Sequence, residues 1–122
     1  MTAKDLDYLL TQQVSPESFV ESIKSEVEDY KRMMDKRGST ANLYFTENQE
    51  IKIDTPELSR LLHLVLEDQL TNIHLAYICD CLSLSESVDI TENAREIVFQ
   101  LADPEINGGF ISKREIIALL GY

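Results

Sequence analysis

The sequence predicts a mainly all-α chain: a compact bundle of five or six helices, with room for one small β-hairpin near 42–54. Three observations carry this. Apolar residues recur at spacings of three and four along most of the chain, the period of a helix with one buried side. Helix starts are written out repeatedly, as a capping Ser or Thr followed by Pro or an acid. Strand-like alternation is confined to a single stretch.

Residues 4–13 make a short first helix with Leu6, Leu9 and Leu10 on one side. Ser15-Pro16-Glu17 starts the second: a cap, a proline whose missing N–H costs nothing in the first turn, and an acid at the positive end of the helix dipole. Phe19, Val20, Ile23, Val27, Tyr30 and Met34 then form its apolar stripe, and it runs to about 37, where Gly38 closes it. Between 39 and 54 the helical period breaks, and 42–46 and 50–54 each suit a short strand of a hairpin. Thr55-Pro56-Glu57 restarts a helix with the cleanest stripe in the chain, Leu58, Leu61, Leu62, Val65, Leu66 and Leu70. Thr71 starts the next, with Ile73, Ala76, Tyr77, Ile78 and Leu82 inside. Residues 83–89 read as a polar turn, and Thr91 caps a helix carrying Ala94, Ile97, Val98 and Leu101, which Pro104 stops. Ser112 and Glu115 make a capping box for a last helix that turns Ile116, Ile117, Leu119 and Leu120 inward and ends at Gly121.

At 122 residues and 43% hydrophobic, the chain is sized for a single domain, 1–122, with its own core. Its 22 acids against 11 bases give a net charge of −11. That excludes nucleic acid and an anionic membrane surface as expected partners, since both need a basic face. No run of about 18 apolar residues is present to span a bilayer. The start lacks the basic-then-apolar plan of a signal peptide, and Cys79 and Cys81 make no secreted disulfide framework. The expectation is a soluble, cytoplasmic protein.

The charge is uneven. Residues 1–61 hold 12 acids and 8 bases, a net of −4, and residues 62–122 hold 10 acids and 3 bases, a net of −7. Within 62–112, nine acids face the single base Arg95. The acids of that stretch that helical spacing turns outward are Glu67, Asp68, Asp80, Asp89, Glu92 and Glu96, with Tyr77 and Tyr44 as aromatic anchors beside them. A one-sided acidic field of this kind speeds encounter with a cationic protein and orients it. On this reading the partner is a basic protein.

Sites of chemistry are sparse. Asp103, Glu105, Asn107 and Gly108 fall at positions 1, 3, 5 and 6 of a calcium loop, with Phe110 at position 8, which makes a degenerate EF-hand-like calcium-responsive module or an acidic helical adaptor the alternative reading. The closing glutamate of such a loop is replaced by Arg114. Cys79 and Cys81, two apart on a helix, point to different faces, and His63 and His74 add no zinc-ligand spacing. No phosphate-cradling glycine loop, nucleophile elbow or acid–base–nucleophile set is present. No enzyme activity, no metal and no cofactor are expected.

The stretch Leu66-Glu-Asp-Gln-Leu-Thr-Asn-Ile-His-Leu-Ala-Tyr-Ile-Cys-Asp-Cys-Leu82, followed by Leu101-Ala-Asp-Pro-Glu-Ile-Asn-Gly-Gly-Phe110, resembles the immunity proteins of contact-dependent inhibition and related polymorphic-toxin systems. The resemblance covers roughly residues 55–120 and is one of texture, without a catalytic motif. It implies a cytoplasmic antitoxin of bacteria that binds one toxin domain, often a nuclease, and covers its active site or substrate groove. An acidic surface suits that task, because a nuclease groove is built to hold phosphates.

Overall fold

Five side-chain oxygens set the helix starts. Thr2, Ser15, Asp54, Thr71 and Ser112 each accept a backbone N–H of the turn that follows, from Asp5, Ser18, Thr55, His74 and Glu115 respectively. Each satisfies one donor that a helix otherwise leaves open. The computed structural model describes residues 1–35, 43–86, 88–102 and 110–121. In chain order the elements are α1 (Ala3–Leu10), α2 (Pro16–Ser22), α3 (Lys24–Met34), β1 (Ile51–Ile53), α4 (Thr55–Leu66), α5 (Asn72–Ser83), β2 (Val88–Ile90), α6 (Glu92–Ala102) and α7 (Lys113–Leu120). Among the described residues the fold is mostly helical with one small two-stranded sheet. Gly38, Asn42, Pro104 and the 103–109 part of the calcium-like loop lie outside the described residues.

Two expectations are corrected. The helix expected over 16–37 is two helices, α2 and α3, broken at Ile23, whose φ of −111° and ψ of 8° leave the helical region. The Ser22 hydroxyl donates to the Phe19 carbonyl at 2.6 Å, a local bond that competes with the helical ladder. The break lets Phe19, Ile23 and Val27 all reach the core. With it the described residues hold seven helices, one or two more than the stripes imply.

The second correction is the hairpin. Residues 51–53 do form a strand, but β1 pairs in parallel with β2, Ile51 opposite Val88, Lys52 opposite Asp89 and Ile53 opposite Ile90. Parallel strands need a long crossover, which α4 and α5 supply. The stretch before β1 lies along the N-terminus instead, where Thr46 bridges Thr2 and exchanges hydrogen bonds with Met1 and Ala3. The junction after the sheet is tied twice: Thr91 N–H donates to the Ile53 carbonyl, and the Thr91 hydroxyl donates to Asp54 at 2.7 Å. That bond, with the Thr55 N–H, holds the Asp54 carboxyl below its ordinary pKa. One Thr–Asp contact thus sets the starts of α4 and α6 relative to each other.

Helix α5 is central. Leu75, Ala76, Tyr77, Ile78, Cys79, Cys81 and Leu82 are all buried, so it is apolar nearly all round, as a helix enclosed by others must be. It packs against α6, α3 and α4. Burial pushes the thiols of Cys79 and Cys81 up to about 12, and both behave as small apolar core residues. Helix α4 buries Leu58, Leu61, Leu62, Leu64 and Val65 and touches α1, α5, α6, α7 and β1. In α7 only Ile116 is fully inside; Ile117, expected inward, is 41% exposed.

Helix α5 opens with an uncommon capping box. The residue three positions in is His74, and its Nδ1 accepts the Thr71 N–H at 3.0 Å while Thr71 Oγ1 accepts the His74 N–H. Only neutral imidazole can accept there. Burial lowers the pKa of His74 below its ordinary 6.5, so the unfolded chain takes the proton first as pH falls. Stability from this group is therefore full above about pH 7 and declines as the pH drops through the unfolded value near 6.5. His74→Gln, which keeps the capping geometry without titrating, is expected to flatten that decline in urea-unfolding midpoints. An unchanged slope counts against His74 as its source.

Candidate functional site

The structure separates the residues expected to meet a partner into three environments. Tyr77 leaves the set. It is 0% exposed, its hydroxyl donates to Glu26 Oε1 at 2.9 Å and accepts the Tyr44 N–H at 3.0 Å, and its ring meets Tyr30 edge-on at 5.3 Å. Burial raises its pKa far above the ordinary tyrosine value. The sequence places Tyr77 on the buried side of its helix, and burial there overrides an anchoring role. Asp80 is half-buried and accepts from the Tyr30 hydroxyl at 3.4 Å. Tyr30 and Glu26 of α3 and Tyr77 and Asp80 of α5 thus exchange two tyrosine–carboxylate bonds across one helix pair. Glu26 also forms an ion pair with the Met1 amino group, which donates to the Tyr44 carbonyl at 2.7 Å.

Glu67 and Asp68 occupy the exposed end of α4. Asp68 adopts a left-handed φ of 61° and pairs with Lys113 Nζ of α7 at 2.5 Å. Its charge is partly spoken for, though both groups are open to water and such a pair adds little stability. Tyr44 is half-exposed, and its hydroxyl donates to Asp29 at 3.2 Å.

Asp89, Glu92 and Glu96 are exposed and follow one another along β2 and the outer side of α6. Asp89 also lines a shallow surface depression with Glu50, Lys52 and Glu86. Among the described residues Glu67, Glu86, Asp89, Glu92 and Glu96 form no ion pair. Arg95, the one base of this stretch, turns back and donates to the Ile90 carbonyl at 3.3 Å.

A residue the sequence reading missed sits among these acids. Phe99 is 49% exposed on α6. The signal was present: Ala94, Val98, Leu101 and Ala102 are the buried side of that helix, and Phe99 falls off it. At about 100° per residue, Glu92, Glu96 and Phe99 lie within roughly 60° of one another at the middle of the solvent side.

Among the described residues no group of three or more His, Cys, Asp or Glu side chains is placed to hold a metal ion, and no helix is long and apolar enough to cross a membrane. Exposed carboxylates of this kind attract cationic groups. Comparison of the chain with protein-family models, with curated proteins and with solved structures finds no match.

Proposed function

We propose that this chain is a non-catalytic cytoplasmic immunity protein that neutralises a cognate bacterial toxin domain, a basic nuclease, by covering its active site or substrate groove. The observation that carries the reading is the set of exposed acids in the second half of the chain, Glu67, Glu86, Asp89, Glu92 and Glu96, none of which forms an ion pair among the described residues. Like charges left unpaired repel one another and oppose folding, so such a surface is favoured when a cationic partner relieves it. A nuclease groove offers that partner, because its lysines and arginines are placed to bind phosphate oxygens at intervals along a strand.

The test is co-expression with the C-terminal domain encoded immediately upstream of this gene. That domain should be toxic alone and harmless with this chain. Association should be fast and should slow as salt rises, because steering between exposed charges is screened within about 10 Å at 0.1 M. A toxin that kills regardless, or an upstream domain with no toxicity, removes the proposal.

A further inference from the structure

We propose that the outer face of α6, formed by Glu92, Glu96 and Phe99, is the docking surface for the partner, and that it takes an arginine side chain. The inference rests on the immunity reading for the identity of the partner and on the helix itself for the place. Three observations meet there. Glu92, Glu96 and Phe99 share one stripe by spacings of four and three, so their side chains are neighbours on the solvent side. Neither acid has an ion pair among the described residues. Phe99 leaves about half of its surface in water although the same helix buries Ala94 and Val98 completely.

A large aromatic held out of the core one turn from Glu96, with Glu92 one turn further along the same stripe, fits one kind of side chain best. A guanidinium is planar, stacks on a ring face, and still donates from its edge to a carboxylate. Lysine carries the charge but no plane, and an aliphatic residue would meet the ring while burying two uncompensated acids. Charge also decides among whole partners. A second copy of this chain would set the same acids against each other at a net charge of −11 per copy, and nucleic acid or an anionic membrane would bring phosphates of the same sign. A basic protein surface is what remains. The face is smaller than a complete interface, so it acts as the anchor of a larger contact.

Fluorescence anisotropy of the full chain with a labelled Gly-Arg repeat peptide and its Gly-Lys counterpart tests the assignment at low ionic strength. The arginine peptide should bind about threefold or more tighter than the lysine peptide, a preference that cation–π stacking supplies. Phe99→Leu keeps an apolar side chain and should erase that preference, whereas Glu92→Gln with Glu96→Gln should weaken both peptides by about fivefold. Glu21→Gln with Glu28→Gln, exposed acids of α2 and α3, should change neither by more than about twofold. Loss of binding with that variant equal to that with the α6 variant overturns the proposal, as does an arginine preference that survives Phe99→Leu. Co-expression separates this from the immunity reading. If the wild-type chain protects and the triple variant at 92, 96 and 99 protects as well, the α6 assignment fails and immunity stands. If the wild-type chain does not protect, immunity fails, and the peptide measurement alone decides the α6 face.

Discussion

Leu62→Ala is expected to lower the unfolding free energy by about 2–5 kcal/mol, the cost of a buried leucine together with the cavity it leaves. Leu62 is 2% exposed, on the helix that touches α1, α5, α6, α7 and β1. Elements on several sides limit how far the site can collapse, which places the cost in the upper part of that range. Urea unfolding followed by circular dichroism measures it. A loss under about 1 kcal/mol would mean that α4 does not pack as the structure has it.

Tyr77→Phe is expected to cost about 1–3 kcal/mol, because one buried hydroxyl serves two partners, the partly buried Glu26 carboxylate and the Tyr44 N–H. Without it Glu26 Oε1 loses a donor and the Tyr44 N–H loses an acceptor, while the ring contact with Tyr30 is kept. The loss should appear as a melting temperature lower by about 4–12 °C for a chain of this size. Tyr44→Phe is the control. Its hydroxyl reaches Asp29 from a half-exposed position, and its removal should stay within about 0.5 kcal/mol. Equal effects of the two variants would mean that the Tyr77 hydroxyl is not buried between α3 and α5.

The residues that sequence reading placed best are those whose role is local. Ser15 and Ser112 cap as their sequence predicts, the latter with Glu115 in a capping box, and Gly121 closes α7 with a φ of 82°. Leu58, Leu61, Leu62 and Val65 of the α4 stripe are buried as their spacing requires, while Leu66 is only partly buried and Leu64, off the stripe, is fully inside. The misreadings have distant causes. Residues 51–53 were legible as a strand and their partner was not, because β2 is three residues long and lies thirty-seven positions away in register. The hairpin was the nearer pairing and the cheaper one in chain entropy, yet the crossover through α4 and α5 buries Ile51, Ile53 and Ile90 together. The capping role of His74 was not legible, because it depends on the rotamer that brings Nδ1 to the Thr71 N–H.

The candidate surface divides in the same way. The outward placement of Glu67, Asp89, Glu92 and Glu96 follows from composition and period, since charged side chains stay in water unless they find partners. That Tyr77 is enclosed by Glu26, Tyr30 and Tyr44, that Asp68 answers to Lys113, and that Phe99 stands out beside Glu92 and Glu96 was settled by packing. By itself the sequence determined most of the helices, the caps at Ser15, Thr71 and Ser112, much of the apolar stripes and the sign of the surface, because each arises from neighbours within one or two turns; the start of α4 is capped by Asp54 and not by Thr55. Only the tertiary structure decided the strand partner, the break at Ile23 and which aromatics reach water, because those depend on contacts between residues far apart in the chain, whose competition for one core no local pattern records.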